Sequence, residues 1–441
     1  MISLKPDILN QLTESNEKPL VVRIDQVLGR GTFSTVYRAQ ITQNDNSNVT
    51  EYVALKVLRL KNEKSNGQDS KNIISKVKYG GIIDAEHRDC INEIVNLKKL
   101  DHPNIVRLLW WDYVPAGNEG EALLKIATEL ATGGDLRRMV HEHYAAGVLV
   151  KEATVWSCTV QLCAALQHMH EAGIMHRDIK PANIFVYNVY DVYEDADNDS
   201  DLGCDDDKLH RRWAQATLKL GDFGFSKGFR PHNGDSFGLR SVLGSPLYMS
   251  PERLRQVDGC AQGNDQEDSG TYYADSDMWS AACCVYELAA LQAPFHLNGS
   301  LDMNLMMNRI VNGFYPPIPC DSYSPQMAQF IDACMVVNRR LRLSGSLALR
   351  RARAGLAETL RRQQYRCRIS RPSMTKSKFE QSPRTPSSMV SKGRKSSLLL
   401  PETPRMEKLP RTKVNRLPLS QQQRPLDRLT VPNVTHLKVP L

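Results

Sequence analysis

The sequence has no apolar run of the roughly 20 residues that a membrane-spanning helix requires. Its first 20 residues lack the charged-then-apolar order of a signal peptide. The ten cysteines are scattered, none in the C-x-x-C spacing typical of zinc sites, and no internal repeat is visible. These absences argue against a membrane-spanning or disulfide-stapled protein. They predict a protein of a reducing compartment, cytoplasmic and/or nuclear, without a transmembrane segment.

Charge is distributed unevenly along the 441 residues. Residues 361–441 contain 19 Lys and Arg but 4 Asp and Glu, whereas residues 1–360 contain 38 and 45. The shift in composition predicts three parts: an N-terminal extension at 1–19, a folded domain at 20–350, and a basic, Ser/Pro-rich, mostly disordered tail at 351–441. Within the folded part, residues 188–208 form an acidic insert, for which a solvated, disordered segment is the default expectation. Its D-x-D-x-D spacing lacks the glycine and glutamate of a calcium-binding EF-hand loop.

Periodicity predicts strands first and helices later. The segment Val21–Val57 alternates like three strands around a Gly-rich turn, and helical spacing follows at 84–100. The remaining predicted elements are strands near 105–113 and 122–129, a helical pattern from Asp135 to a C-cap at Gly173, helices over 275–364, and within them a short basic helix at 345–364.

The Gly-rich turn has the pattern Gly29-x-Gly31-x-x-Ser34-x-Val36. Glycines allow a turn to lie close over phosphates and to offer N–H groups to their oxygens. A purely structural hairpin would explain this motif as well.

Lys56 lies in the middle of the apolar strand VALK, where an unpaired charge is costly. Glu93, on the following helix, is the expected partner, and Glu86 is a weaker rival. Such a pair would hold Lys56 against the α- and β-phosphates of a nucleotide. A lysine that reaches solvent from a strand edge is the alternative.

Two further motifs supply the groups for phosphoryl transfer. In HRDIKPAN, Asp178 can accept or orient a substrate hydroxyl, Lys180 brings positive charge, and Asn183 offers a neutral oxygen to a metal ion. In GDFG, Asp222 offers a carboxylate, a hard ligand suited to Mg²⁺.

The motifs, in this order, resemble those of the eukaryotic protein kinases. The resemblance covers about residues 20–350 and implies an α+β, bilobal protein kinase fold, with an antiparallel β-sheet and one helix in the N-lobe and a mainly helical C-lobe. It implies ATP and Mg²⁺ as cofactors and protein substrates. The serine/threonine form of the catalytic loop is present at Lys180 to Asn183.

The resemblance also assigns roles residue by residue. Thr128 becomes the gatekeeper, Glu129 to Ala131 the adenine hinge, and Asp135 a neighbour of the ribose. Asp277 would brace the catalytic loop, and Arg342 would pair with Glu252. The implied catalytic residues are Asp178, Lys180, Lys56 and Glu93, the metal ligands Asn183 and Asp222, and the ATP-binding residues Leu28, Gly29, Arg30, Gly31, Thr32, Phe33, Ser34, Val36, Ala54, Lys56, Thr128, Glu129, Ala131, Asp135 and Phe185.

Three later stretches narrow the resemblance: GSPLYMSPER, SAACCVYELAALQAPF and NGFYPPIPCDSYSPQM. They are similar to NIMA-related (Nek-type) kinases, which implies a role in cell-cycle, microtubule or cilium regulation. Ser34 in place of a glycine, Ser245 in place of threonine, and longer segments at 60–83, 188–208 and 254–273 indicate a divergent member. A kinase of another branch, or a scaffold that acts mainly through its basic tail, is the alternative.

Regulation is expected at loop and tail hydroxyls. Arg177 precedes Asp178, an arrangement that favours activation-loop phosphorylation by an upstream kinase, and Ser241 is the expected acceptor. The further candidate phosphosites are Ser245, Ser382, Thr385 and Thr403. The tail could contact acidic surfaces such as microtubules, or the acidic insert in cis. It has few aromatics, so nucleic-acid binding is not expected.

Overall fold

The structure is a computed structural model. It describes residues 20–31, 34–43, 50–61, 85–114, 121–189, 205–223, 227–228, 246–257, 274–297 and 302–370. The described helices include none that is long and apolar enough to cross a membrane.

The N-terminal lobe contains a five-stranded antiparallel sheet. Its strands are β1 (Leu20–Arg30), β2 (Ser34–Gln43), β3 (Thr50–Lys61), β4 (Leu108–Val114) and β5 (Glu121–Glu129), in the spatial order β1-β2-β3-β5-β4. Alternation along the strands buries Ala39, Val53, Leu55 and Ala127 together on one face. The three strands predicted over Val21–Val57 and the two predicted after them are all present.

One helix, α1 (Ala85–Lys99), follows β3 in the described chain. Ile91, Ile94, Val95 and Leu97 are buried at helical spacing, which orients the helix and fixes where the intervening Glu93 points.

The first helices of the C-terminal lobe are α2 (Leu136–Ala146) and α3 (Glu152–Glu171). The sequence pattern predicted continuous helical character from Asp135 to Gly173, but the structure divides it. Gly147 adopts a left-handed φ of 68° and ends α2, a conformation that glycine accepts without a Cβ penalty. The predicted end at Gly173 agrees with its φ of 70°.

In the described part of the chain, four further short strands form two separate two-stranded sheets. β6 (Ile174–Met175) pairs with β9 (Lys227–Gly228), and β7 (Ile184–Tyr187) pairs with β8 (Thr217–Leu220). The β7–β8 hairpin carries the acidic insert.

The last four residues of the insert begin the helix α4 (Asp205–Ala214), contrary to the expectation of a disordered segment through residue 208. Trp213 is buried in the lobe core, and its indole N–H donates to Glu142 Oε2 on α2 at 3.2 Å. Burial of one large aromatic side chain stabilises the helix that carries it, although the preceding residues are acidic. Residues 190–204 lie outside the described residues.

The described residues of the lobe contain five more α-helices: α5 (Pro251–Val257), α6 (Ala274–Ala290), α7 (Met303–Asn312), α8 (Pro325–Cys334) and α9 (Gly345–Ser370). Helix α6 is almost entirely buried. The predicted short basic helix is α9, which has 26 residues and continues past 364. The helix crosses the predicted domain boundary at residue 350, and its Ala352 is buried. The domain limits therefore stay a prediction.

The architecture confirms the predicted fold class, with an antiparallel sheet and one helix in the first lobe and mainly helices in the second.

Candidate active site

Lys56 forms the predicted ion pair with Glu93. Its Nζ lies 2.8 Å from Oε2 and 3.1 Å from Oε1 of Glu93, and 3.2 Å from Oδ1 of Asp222. The β3 strand positions the lysine, α1 the glutamate, and the segment after β8 the aspartate. The structure therefore brings together three residues that are far apart in sequence, and it selects Glu93 as the partner.

Lys56 and Asp222 stabilise each other's charges, whereas burial and the neighbouring Asp222 raise the pKa of Glu93. Burial alone would lower the pKa of Lys56, but Asp222 and Glu93 together raise it above its usual value. The positive charge of Lys56 holds the pKa of Asp222 below its usual range. Lys56 is therefore a fixed cation and Asp222 a carboxylate at neutral pH, as phosphate and metal binding require.

Asp277, a fully buried residue of α6, anchors the catalytic loop through hydrogen bonds. Its Oδ2 accepts from the backbone N–H of His176 and its Oδ1 from that of Arg177, each at 2.9 Å. His170 Nε2 lies 2.9 Å from the same Oδ2. Arg177 has a left-handed φ of 72°, a conformation disfavoured for a residue with a Cβ. The hydrogen bonds from the His176 and Arg177 amides stabilise that turn. Asp277 therefore braces the loop, as the resemblance to protein kinases implied.

The side chains of HRDIKPAN converge on Asp178. Lys180 Nζ donates to Asp178 Oδ2 at 2.7 Å, and Asn183 Nδ2 donates to the same oxygen at 3.0 Å. Asn183 Nδ2 also donates to the backbone carbonyl of Asp178 at 2.8 Å. These bonds orient the Asp178 carboxylate and place Lys180 beside it.

His176 joins the catalytic loop to the GDFG segment. Its Nε2 lies 2.9 Å from the carbonyl oxygen of Gly221, and the Gly221 amide donates to the carbonyl of Asn183 at 3.0 Å. The ring of the buried Phe223 lies 5.0 Å from that of His176. Asp222, between these two anchors, has a φ of 61° and points to Lys56.

The strands place several predicted nucleotide-binding residues on neighbouring positions. Ala54 on β3 is opposite Thr128 on β5, and Val36 on β2 is opposite Lys56. The turn between β1 and β2 closes through a 2.8 Å bond from the Gly31 amide to the Ser34 carbonyl. Leu28, Gly29 and Arg30 lie at the end of β1, where Leu28 is largely exposed. Thr32 and Phe33 lie outside the described residues.

The predicted hinge is supported by residues that the sequence did not reveal. Lys219 on β8 donates to both carboxylate oxygens of Glu129, at 2.7 and 2.8 Å, and the Arg107 amide donates to Oε1 at 2.8 Å. The Tyr187 hydroxyl donates to the Glu129 carbonyl at 3.1 Å. The local sequence does not identify Lys219 or Tyr187 as residues that support the hinge, because their partner Glu129 lies on β5 in the N-terminal lobe. Ala131, the last hinge residue, is half-buried.

Asp135 and Phe185 are adjacent, joined by a backbone bridge. The Asp135 side chain caps α2 by accepting from the Arg138 amide at 3.2 Å. It also accepts from the Arg137 guanidinium, a partner that the sequence did not reveal.

Residues implied as metal ligands have oxygens available for a cation. Asn183 donates through Nδ2, and Oδ1 accepts no hydrogen bond from the described residues. Asp222 uses Oδ1 for Lys56, and its side chain is 39% exposed. The described residues contain no cluster of three His, Cys, Asp or Glu that could hold a metal alone. One carboxylate and one amide suit a divalent cation whose other ligands come from phosphates and water.

The predicted pair in the C-lobe is also present, with Arg342 Nη1 2.8 Å from Glu252 Oε1. The five candidate phosphosites lie outside the described residues: Ser241, Ser245, Ser382, Thr385 and Thr403.

Together with this geometry, comparison with known proteins defines the class of protein to which the chain belongs. The protein kinase domain family matches residues 22–353, more than half of the chain, and the chain therefore belongs to that family. Protein kinase domains in general use ATP and a divalent metal ion.

Several of the curated proteins that this chain is similar to are named Nek kinases. Mouse serine/threonine-protein kinase Nek4 is 31% identical over 259 residues, which are 59% of this chain and 26% of the mouse protein. Probable serine/threonine-protein kinase nek2 of Dictyostelium discoideum is 28% identical over 293 residues, 63% of this chain and 58% of that protein. Human serine/threonine-protein kinase Nek2 is 28% identical over 269 residues, 60% of this chain and 49% of the human protein. The names of these relatives confirm the predicted resemblance to Nek-type kinases, and the modest identity confirms that this chain is a divergent member.

Proposed function

We propose that this chain is a serine/threonine protein kinase that transfers the γ-phosphoryl group of Mg·ATP to hydroxyl groups of protein substrates. The observation that carries the proposal is the simultaneous assembly of two clusters: Lys56 with Glu93 and Asp222, and Asp178 with Lys180 and Asn183. The chain covers only 26% and 58% of the lengths of two of these relatives, so the activity is inferred from these clusters.

The reaction follows from the charges in the site. A substrate serine or threonine oxygen attacks the γ-phosphorus while its proton passes to the Asp178 carboxylate. The bond between the γ-phosphorus and the bridging oxygen breaks, and ADP leaves with that electron pair. Lys56 holds the α- and β-phosphates, and Lys180 offsets negative charge on the transferred group.

A bound Mg²⁺ would supply positive charge to the phosphate oxygens, held by Asp222 and Asn183. The chain's own contribution is to orient these two ligands. The Asn183 amide nitrogen is occupied by Asp178, which directs Oδ1 away from the loop, and Lys56 fixes the Asp222 carboxylate.

The cellular role extends the proposal through the Nek-type resemblance. We infer a function in cell-cycle, microtubule or cilium regulation, at a cytoplasmic, nuclear or cytoskeleton-associated location. Phosphorylation of Ser241 by an upstream kinase would activate the enzyme through Arg177, and the basic tail would contact acidic surfaces such as microtubules.

The experiment incubates the purified full chain with Mg·ATP and a generic protein substrate and identifies the phosphorylated amino acids. Wild type should yield phosphoserine and phosphothreonine, and Lys56→Met should yield almost none. Arg353→Ala, an exposed arginine on α9, is the matched control and should retain activity.

Equal product from Lys56→Met and wild type would contradict the proposal. The proposal would also be contradicted if a chain whose one change is the phosphomimetic Ser241→Asp transferred no phosphate.

A further inference from the structure

Arg137 presents an unused edge of its guanidinium beside the candidate active site. It lies in the first turn of α2, and its side chain is 66% exposed. Its Nε donates to Asp135 Oδ2 at 2.9 Å, and its Nη2 donates to the same oxygen. Within the part of the chain that the structure describes, Nη1 has no hydrogen-bond partner. An arginine held on one side in this way offers its other N–H groups in a fixed direction.

Backbone contacts place this edge near the reacting groups. Asp135 bridges Phe185, which follows Asn183 by two residues, and the Asn183 side chain binds Asp178. The hydrogen bond to Asp135 raises the pKa of Arg137 above its usual range, and the electrostatic interaction with Tyr248 contributes to the shift. In the proposed complex, a polypeptide whose hydroxyl reaches Asp178 would lie beside this loop, and its flanking side chains would come within reach of Arg137.

The carboxylates around this entrance are already neutralised or hydrogen-bonded. Glu142, one turn further along α2, accepts from Arg138 at 2.9 Å and lies 3.3 Å from Arg212. Glu287 accepts from the Tyr248 hydroxyl at 2.6 Å. A basic flank on a substrate would therefore meet no unengaged carboxylate among these residues.

We propose that Arg137 selects substrates with an acidic or phosphorylated side chain near the phosphoacceptor. The selection rests on the proposed kinase function and specifies the substrate class of that same site. Arginine binds carboxylate and phosphate groups through paired, charge-assisted hydrogen bonds, and a second anion can share the guanidinium with Asp135. A phosphoserine gives the stronger effect because it carries more charge than glutamate.

The experiment uses peptides with one acceptor serine and one varied flanking residue, moved through each position on both sides. At each position the residue is Glu, Gln, Lys or phosphoserine, and kcat/KM is measured at saturating Mg·ATP. The enzymes are the full-length wild type, Arg137→Ala, Arg137→Glu and the control Arg353→Ala. The ratio of kcat/KM for Glu over Gln is the readout, because it does not depend on the overall activity of a variant.

Wild type and Arg353→Ala should prefer Glu over Gln by about two- to fivefold at one position or more, the range of an exposed charge pair. Arg137→Ala should bring that ratio near one, and Arg137→Glu should favour Lys at the same position. A wild type that prefers Lys or shows no preference would overturn the proposal. The same holds if Arg137→Ala keeps the ratio and changes only KM for ATP. Absence of transfer to every peptide, by contrast, would count against the proposed kinase function itself.

Discussion

Arg342 and Glu252 form a bidentate ion pair inside the helical lobe, with Nη1 2.8 Å from Oε1 and Nη2 3.0 Å from Oε2. The Arg342 side chain is fully buried, and the guanidinium also donates to the Asp275 carbonyl at 2.7 Å. Ser276 donates to Glu252 Oε1 at 2.7 Å. The pair thus fastens the start of α5 to α6 and to the segment before α9.

Loss of this pair should destabilise the fold. Arg342→Ala leaves the partly buried Glu252 without its cation, and we expect the free energy of unfolding to fall by about 3 kcal/mol. Urea denaturation followed by circular dichroism measures the change. Arg340→Ala is the matched control, because Arg340 is exposed on the same turn, and its stability should stay near wild type. A loss of under about 0.5 kcal/mol for Arg342→Ala would contradict the assignment.

The same pair should make stability pH-dependent. Burial alone would raise the pKa of Glu252, but the hydrogen bond and charge of Arg342 lower it below its usual range. A carboxylate with a lowered folded-state pKa contributes fully above its unfolded pKa of about 4.3, and the contribution disappears as the pH falls through the folded value. Stability should therefore drop below about pH 4.3, more steeply in wild type than in Glu252→Gln. Parallel slopes for the two proteins would count against this.

Trp213 should be essential for docking of α4. Trp213→Ala removes a fully buried indole, and we expect a loss of about 3–5 kcal/mol in the free energy of unfolding. Arg211→Ala, exposed on the same helix, should change stability little and serves as the control. If the two variants unfold at the same denaturant concentration, α4 does not pack as described.

Gly355 should tolerate no side chain. A Cβ at this position would lie 2.5 Å from Cζ2 of Trp156, closer than real atoms approach. Gly to Ala inside a helix ordinarily stabilises by about 0.5–1 kcal/mol, but here we expect a loss of about 1–3 kcal/mol. The reverse change at its exposed neighbour, Ala354→Gly, measures helix propensity alone. An increase in stability for Gly355→Ala would show that α9 does not pack against Trp156.

Sequence motifs predicted which side chains lie together in the central site, because the chemistry restricts which residues can occupy it, and the catalytic roles of these residues stay predictions. The pairing of Lys56 with Glu93 followed from the cost of a buried charge and from helical phase. The ion pair between Lys219 and Glu129 could not be predicted in this way. A single lysine on a strand gives no sign of its partner 90 positions away.

The peripheral helices were harder to predict. The acidic composition before Trp213 indicated a solvated segment, but tertiary packing of one tryptophan outweighs it. The length of α9 was underestimated because its arginines resemble the basic tail. Only the structure shows that Ala352 and Gly355 face the domain.

Asp178→Asn is the most direct test of phosphoryl transfer with Asp178 as the proton acceptor, since the substitution preserves the shape of the side chain and removes the carboxylate. Single-turnover transfer from Mg·ATP to a serine peptide would be measured for both proteins, together with nucleotide affinity in the same preparations. We expect similar nucleotide affinity and a rate reduced by about a hundredfold or more, the contribution of a positioned base. Equal transfer rates would contradict this role of Asp178.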